Sequence, residues 1–150
     1  MAVSSFEAAR HLCRVSNWAL TNLALQKMLY LAHLSFVGKH SGAKLVDEEF
    51  EAWAYGPVLP SVYRQAKIFG NEHVKDVFYG VDDISETPEG RMLSSAWKSL
   101  KNKSASELVA ITHWPKGAWA ATYMPGVYGS EIPTSLILKE YQDRKNLTKI

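Results

Sequence analysis

The longest apolar stretch starts at Leu23. In LALQKMLYLAHLSFV, the residues Leu25, Met28, Leu29, Ala32 and Phe36 share one helical face, and Leu31 and Leu34 occupy much of another. A helix that is apolar nearly all round belongs inside a bundle, so a central helix is expected over about Leu23 to Val37. Its polar exceptions fall along one line: Asn22, Gln26 and His33, with Tyr30 between the last two. Buried polar groups are generally hydrogen-bonded. The stripe therefore reads either as solvent contact and internal hydrogen bonding or as a surface that meets a ligand.

Ahead of this helix, Ala8, Leu12 and Val15 give a narrower apolar stripe, and Ser4-Ser5-Phe6-Glu7 forms a capping box. These predict a helix from about Ser4 to Ser16, and Asn17, Thr21 and Asn22 supply turn and capping groups. Gly38 to Lys44 reads as a break. The large residues of Phe50-Glu51-Ala52-Trp53-Ala54-Tyr55 alternate towards Gly56-Pro57, a pattern expected of a short extended segment. Pro60 suits the first turn of a following helix, with Val62, Ala66 and Phe69 facing inward and Gly70 as its cap. Residues 71–86 are the least regular, and Val74, Val77, Phe78 and Tyr79 fit a second short strand or a packed loop.

Thr87-Pro88 opens a helix with Leu93, Ala96, Trp97 and Leu100 inward. Ser104-Ala105-Ser106-Glu107 is a second capping box, for a helix that ends before Pro115. Trp114 to Tyr128 reads as a packed loop or a short helical turn, and Pro133 opens a final helix. The expected fold is mainly α: one compact domain over 1–150, about six helices around a central buried helix. At most a small β element is expected near 50–55 and 74–79, and a short frayed polar tail at about 144–150.

The chain has 150 residues, 47% of them hydrophobic and 21% charged, which is ample for one folded core. Its net charge of +2 is too small to imply a nucleic-acid or membrane surface by itself. The single cysteine, Cys13, excludes an internal disulfide and fits a reducing, cytoplasmic compartment. No apolar run reaches the roughly 18 residues of a membrane helix, so no membrane partner is expected.

Candidate chemistry is sparse. His11, His33, His40, His73 and His113 are scattered, with neither HExxH nor CxxC among them, and Asp82, Asp83, Glu86 and Glu89 lack calcium-loop spacing. Phosphate loops and nucleophile elbows are also missing. Cys13 near Arg10 and Arg14 reads as a core thiol more readily than a reactive one. No enzyme signature, metal or cofactor is therefore expected. Basic groups at Lys98, Lys101 and Lys103, and at Lys139, Arg144, Lys145 and Lys149, are interleaved with acids. Nucleic acid is accordingly not the expected partner, although DNA binding remains an alternative.

LALQKMLYLAH, FEAWAYGPVLPSVY and the AKIFG ending together resemble the signature of the Panacea domain family, the SocA-like antitoxins also labelled phage-associated GepA-like proteins. Their typical order is an L-x-L-Q-K-L-L-Y helix, an E-A-W-x-x-G-P-V segment, and a helix ending in an aromatic-glycine pair. SASELVAITHWPKGAWAATY resembles a later region of the same family, which carries the resemblance from Leu23 to about Tyr123. Met28 replaces a usual leucine, and Pro115 to Trp119 departs in spacing.

The resemblance implies a non-enzymatic antitoxin. It would bind a cognate protein toxin, usually encoded by the adjacent gene, and would block it directly or act as an adaptor to a AAA+ protease. The alternative is a DNA-binding regulator of its own operon or another phage-associated regulatory protein. A partner surface needs aromatic anchors in a rigid setting, burying about 800 Å² per side. The candidates are Trp53, Tyr55, Pro57, Val58 and Tyr63, with Tyr30 and His33 as neighbours. Trp53 and Gly56-Pro57 also read as a structural hinge.

Overall fold

A computed structural model describes residues 2–147. In chain order the described elements are α1 (Ser5–Val15), α2 (Asn22–Lys39), β1 (Glu51–Trp53), β2 (Gly56–Val58), α3 (Pro60–Ala66), a 3-10 turn (Lys67–Phe69), α4 (Pro88–Leu100), α5 (Ala105–Thr112), α6 (Ala118–Thr122) and α7 (Thr134–Leu147). The architecture is mainly α, with one two-stranded antiparallel sheet. The helix beyond the expected six is α6, in the stretch that reads from sequence as a loop or a short turn.

α2 is the axis of the fold. It packs against α7, α4, α5, α1, α3 and β2, and Leu25, Met28, Leu29, Tyr30, Ala32 and Val37 are almost completely buried. Neighbours on every side are what an all-round apolar helix requires. The Thr21 hydroxyl caps its start by accepting from Ala24 N–H at 3.2 Å. α2 runs on to Lys39, through the glycine expected to break it. Gly38 lies where α7 crosses: a Cβ built on it would sit 2.0 Å from the Tyr141 ring. The missing side chain permits this close packing, and the turn comes later, at Gly42, with φ +95°.

Both capping boxes form. Glu7 N–H donates to Ser4 Oγ at 3.1 Å while Ser4 N–H donates to Glu7 Oε1 at 3.0 Å, and Ser104 and Glu107 repeat the arrangement on α5. Pro60 occupies the first turn of α3. Leu59 offers no capping side chain there, and the Glu48 carboxylate instead accepts from Ser61 N–H at 3.2 Å.

The expected extended segment is β1, paired with β2 through Glu51↔Val58, Ala52↔Pro57 and Trp53↔Gly56. Its other edge meets residues far along the chain. Ala52 N–H donates to Ser130 O, and Ile132 N–H donates to Phe50 O, each at 2.8 Å. The second expected β position, 74–79, holds no strand. Val74 N–H donates to Leu20 O at 2.8 Å, Thr21 and His73 form one isolated bridge, and Phe78 packs on Phe6 with ring centroids 5.5 Å apart. This stretch has burial without a ladder partner, so it is a packed loop.

The polar tail expected from 144 is helical through Leu147, and Arg144 is firmly held. Arg144 Nε donates to Glu140 Oε2 at 2.8 Å, and its NH2 group donates to Ile111 O at 2.6 Å. Positions 148–150 of that expectation lie outside the described residues.

Candidate functional site

The turn between β1 and β2 consists of Ala54 and Tyr55 and closes at Gly56, whose φ of +116° lies in the left-handed region. Gly56 is also a close-approach position, because a Cβ there would lie 3.0 Å from the Lys27 Nζ and Cε atoms. Lys27 comes from the Gln26-Lys27 pair of α2. Its Nζ donates to Pro57 O at 3.1 Å, and Gln26 brackets Leu59, accepting its N–H at 2.8 Å and donating to its carbonyl at 3.4 Å. Two adjacent side chains of the central helix thus hold the backbone of the Gly-Pro-Val-Leu segment.

Lys27 is fully buried, and burial lowers its pKa from 10.5 to about 7.

On this frame stands an aromatic wall. Trp53 meets Tyr63 edge-on, with ring centroids 4.8 Å apart. The Trp53 indole N–H donates to Glu51 Oε1 at 2.9 Å, and the Trp53 carbonyl accepts from Trp119 Nε1 at 2.7 Å. Trp119 is stacked between His113, at 3.8 Å, and Tyr123, at 5.0 Å. Burial lowers the His113 pKa, against a hydrogen bond with the Tyr55 backbone that raises it.

The wall borders a groove of about 640 Å³ between the start of α2, the β1–β2 hairpin, the end of α3 and residues 123–128. Of the residues picked out from sequence, Trp53, Tyr55, Val58 and Tyr63 line it together. Pro57 lies behind them, buried, with its carbonyl turned to Lys27.

Tyr30 and His33 do not reach the groove. Both are buried in the core with internal hydrogen bonds, whereas Asn22 and Gln26 of the same polar stripe line the groove. Tyr30 OH donates to Glu140 Oε1 at 2.8 Å, and that oxygen also accepts from Ala118 N–H at 2.9 Å. Burial first, then Glu140, hold the Tyr30 phenol well above its ordinary pKa. His33 Nδ1 accepts from Val46 N–H at 3.4 Å. Burial, with Lys44 adding to it, lowers the His33 pKa to about 3, so the ring is neutral.

Sequence reasoning missed other lining residues, among them Leu23, Lys67, Tyr123, Val127 and Tyr128. Tyr128 is 95% exposed and Tyr55 75% exposed. Gly126 and Gly129 bracket Val127-Tyr128 with φ of +82° and +76°. Two glycines around an exposed aromatic pair were a legible turn signal. Their position beside Trp53 follows only from the pairing of Ser130 and Ile132 with β1.

Burial, then Asp76, push the Cys13 thiol up to about 12, so it is inert. Among the described residues no three potential ligands gather around a metal position, and no helix is long and apolar enough to cross a membrane. Of the basic tail, Lys139 pairs with Asp143 at 2.7 Å and Arg144 with Glu140 at 2.7 Å. These pairs leave less free positive charge for phosphate, and Lys149 lies outside the described residues.

No solved structure matches the chain. A curated relative, Antitoxin SocA of Caulobacter vibrioides (strain NA1000 / CB15N), is 36% identical over an alignment of 110 residues that covers 67% of this chain and 58% of the relative. The chain therefore spans little more than half of that protein. The profile of the family described as "Antitoxin SocA-like, Panacea domain" matches residues 25–120. That interval contains the Gln26-Lys27 clasp, the Gly-Pro-Val segment it holds and Trp53, Tyr63, His113 and Trp119 of the aromatic wall, and by this match the chain belongs to the SocA-like antitoxin, Panacea domain family.

Proposed function

We propose that this protein is the antitoxin of a toxin–antitoxin pair, acting in the cytoplasm, and that it binds its cognate protein toxin through the aromatic groove. The observation that carries the reading is the groove itself. On a member of an antitoxin family, Trp53, Tyr55, Val58 and Tyr63 converge with Tyr123 and Tyr128 around an open apolar space. Interface hot spots are enriched in such aromatic side chains in preformed settings. The Gln26 and Lys27 bonds fix the backbone of one wall, which lowers the ordering cost of association. No catalytic constellation is part of this reading, so neutralisation proceeds by binding, as a direct block or by delivery of the toxin to a AAA+ protease.

The test is co-expression with the product of the adjacent gene. The expected result is that the neighbour arrests growth alone and is harmless beside this protein. Tyr55→Ala combined with Tyr63→Ala should lose rescue while the folded protein still accumulates. A neighbour that is harmless alone, or that stays toxic beside the unmodified protein, overturns the reading. Toxin half-life with and without this protein separates the two routes: rescue with unchanged turnover excludes the protease adaptor.

A further inference from the structure

The ionisable side chains of opposite sign are unevenly placed at the groove, whose lining has lysines and no aspartate or glutamate. Its charged lining residues are Lys67, which is exposed, and Lys27, which is buried beneath the hairpin. Lys67 makes no salt bridge shorter than 4.0 Å among the described residues. Arg64 stands exposed one turn earlier on α3. No acidic residue lines the groove: Glu51 lies behind the lining Trp53, accepting from its indole N–H at 2.9 Å, and Glu72 follows the lining residue Asn71. The first turn of α2, which opens on the same space, contains no acidic residue.

These features differ from those of a small-molecule pocket. Such pockets enclose most of the ligand, whereas here Tyr55 and Tyr128 project outward at 75% and 95% exposure, with Met124 at 61% beyond them. An apolar face that continues past the rim fits a macromolecular partner. The exposed Lys67, with no salt bridge among the described residues, fits an anion on that partner.

We propose that the groove takes a polypeptide segment of the partner that presents apolar or aromatic side chains next to a carboxylate, with the carboxylate against Lys67. The inference rests on the reading of the groove as the partner surface and adds the chemistry of its occupant. The carboxylate belongs to an aspartate, a glutamate or a chain terminus. The apolar side chains enter between Trp53 and Tyr128.

The experiment selects a displayed library of random short peptides on the full chain, then measures the recovered peptides against three proteins. These are the unmodified chain, Lys67→Glu, and Ala54→Trp, which adds bulk at an exposed turn position of the groove. Circular dichroism establishes that each variant folds. The expected result is peptides combining a carboxylate with apolar neighbours, bound about tenfold or more weakly by Lys67→Glu and lost with Ala54→Trp. Amidation of the recovered acid should weaken binding to the unmodified chain and not to Lys67→Glu.

Peptides without acidic preference, indifferent to Lys67→Glu but lost with Ala54→Trp, overturn the inference and leave the groove as a partner surface. Peptides indifferent to both variants overturn the groove reading as well. A dimer of the protein alone that Ala54→Trp dissociates, read by sedimentation, places a second copy in the groove and also overturns the inference.

Discussion

Gln26 holds Leu59 by both ends of its amide, accepting the Leu59 N–H at 2.8 Å and donating to the Leu59 carbonyl at 3.4 Å. Both residues are buried, so the pairing replaces water for two backbone groups where the chain passes from β2 into α3. Gln26→Leu leaves both groups unpaired in a dry setting. A loss of about 2–3 kcal/mol is expected, read as a lower urea midpoint with unchanged slope. Gln26→Glu keeps the acceptor and loses the donor, so its loss should be larger above the carboxyl pKa than below it.

Lys27 makes stability depend on alkaline pH. Its folded pKa of about 7 lies below the ordinary 10.5. Between those values the unfolded chain holds a proton that the folded chain has released, so stability rises with pH across that window, on the order of 1.4 kcal/mol per unit. The contribution is complete above 10.5, declines as pH falls, and is gone below about 7. Lys27→Met retains the stem and cannot titrate. The expected outcome is that the unmodified protein gains melting temperature relative to Lys27→Met between pH 7 and pH 9. Parallel pH profiles for the two proteins would refute the assignment.

The Glu140 carboxylate joins α2, α6 and α7, and Arg144 extends the connection to the end of α5 through Ile111 O. Arg144 also lies 4.8 Å from the centre of the Trp114 ring. Glu140 is only 1% exposed, so removing its cation strands a buried charge. Arg144→Met should cost about 3–5 kcal/mol, and Tyr30→Phe about 1–3 kcal/mol. Denaturant titration at neutral pH checks both. Toxin rescue should persist wherever the variants remain folded, because neither residue lines the groove.

Gly38 admits the Tyr141 ring where α2 and α7 cross. Alanine there gains roughly 1 kcal/mol in helix propensity but must displace the ring. A net loss of about 1–3 kcal/mol is expected, measured by thermal or urea unfolding. Truncating Tyr141 to alanine in the Gly38→Ala background removes the clash. The two substitutions should therefore be strongly non-additive.

Sequence alone determined what local chemistry and periodicity can decide. The caps at Ser4, Thr21, Thr87 and Ser104 form as their residue types require, and the nearly continuous apolar surface of 23–37 made α2 the centre. The extended segment near Trp53 was legible for the same reason, since alternation, a glycine and a proline act within a few residues, whereas its pairing with Gly56–Val58 was not. Tertiary structure alone decided which polar groups of α2 point inward to a partner. Tyr30 meets Glu140 across 110 positions, and Gln26 meets Leu59 across 33. Periodicity places a side chain on a face but carries no information about what a distant segment brings to it. The groove residues of 123–128 obey the same limit. Tyr128 joins Trp53 in lining the groove because Ser130 and Ile132 hydrogen-bond to the segment containing β1, and the backbone groups that make those bonds are the same in every residue type involved.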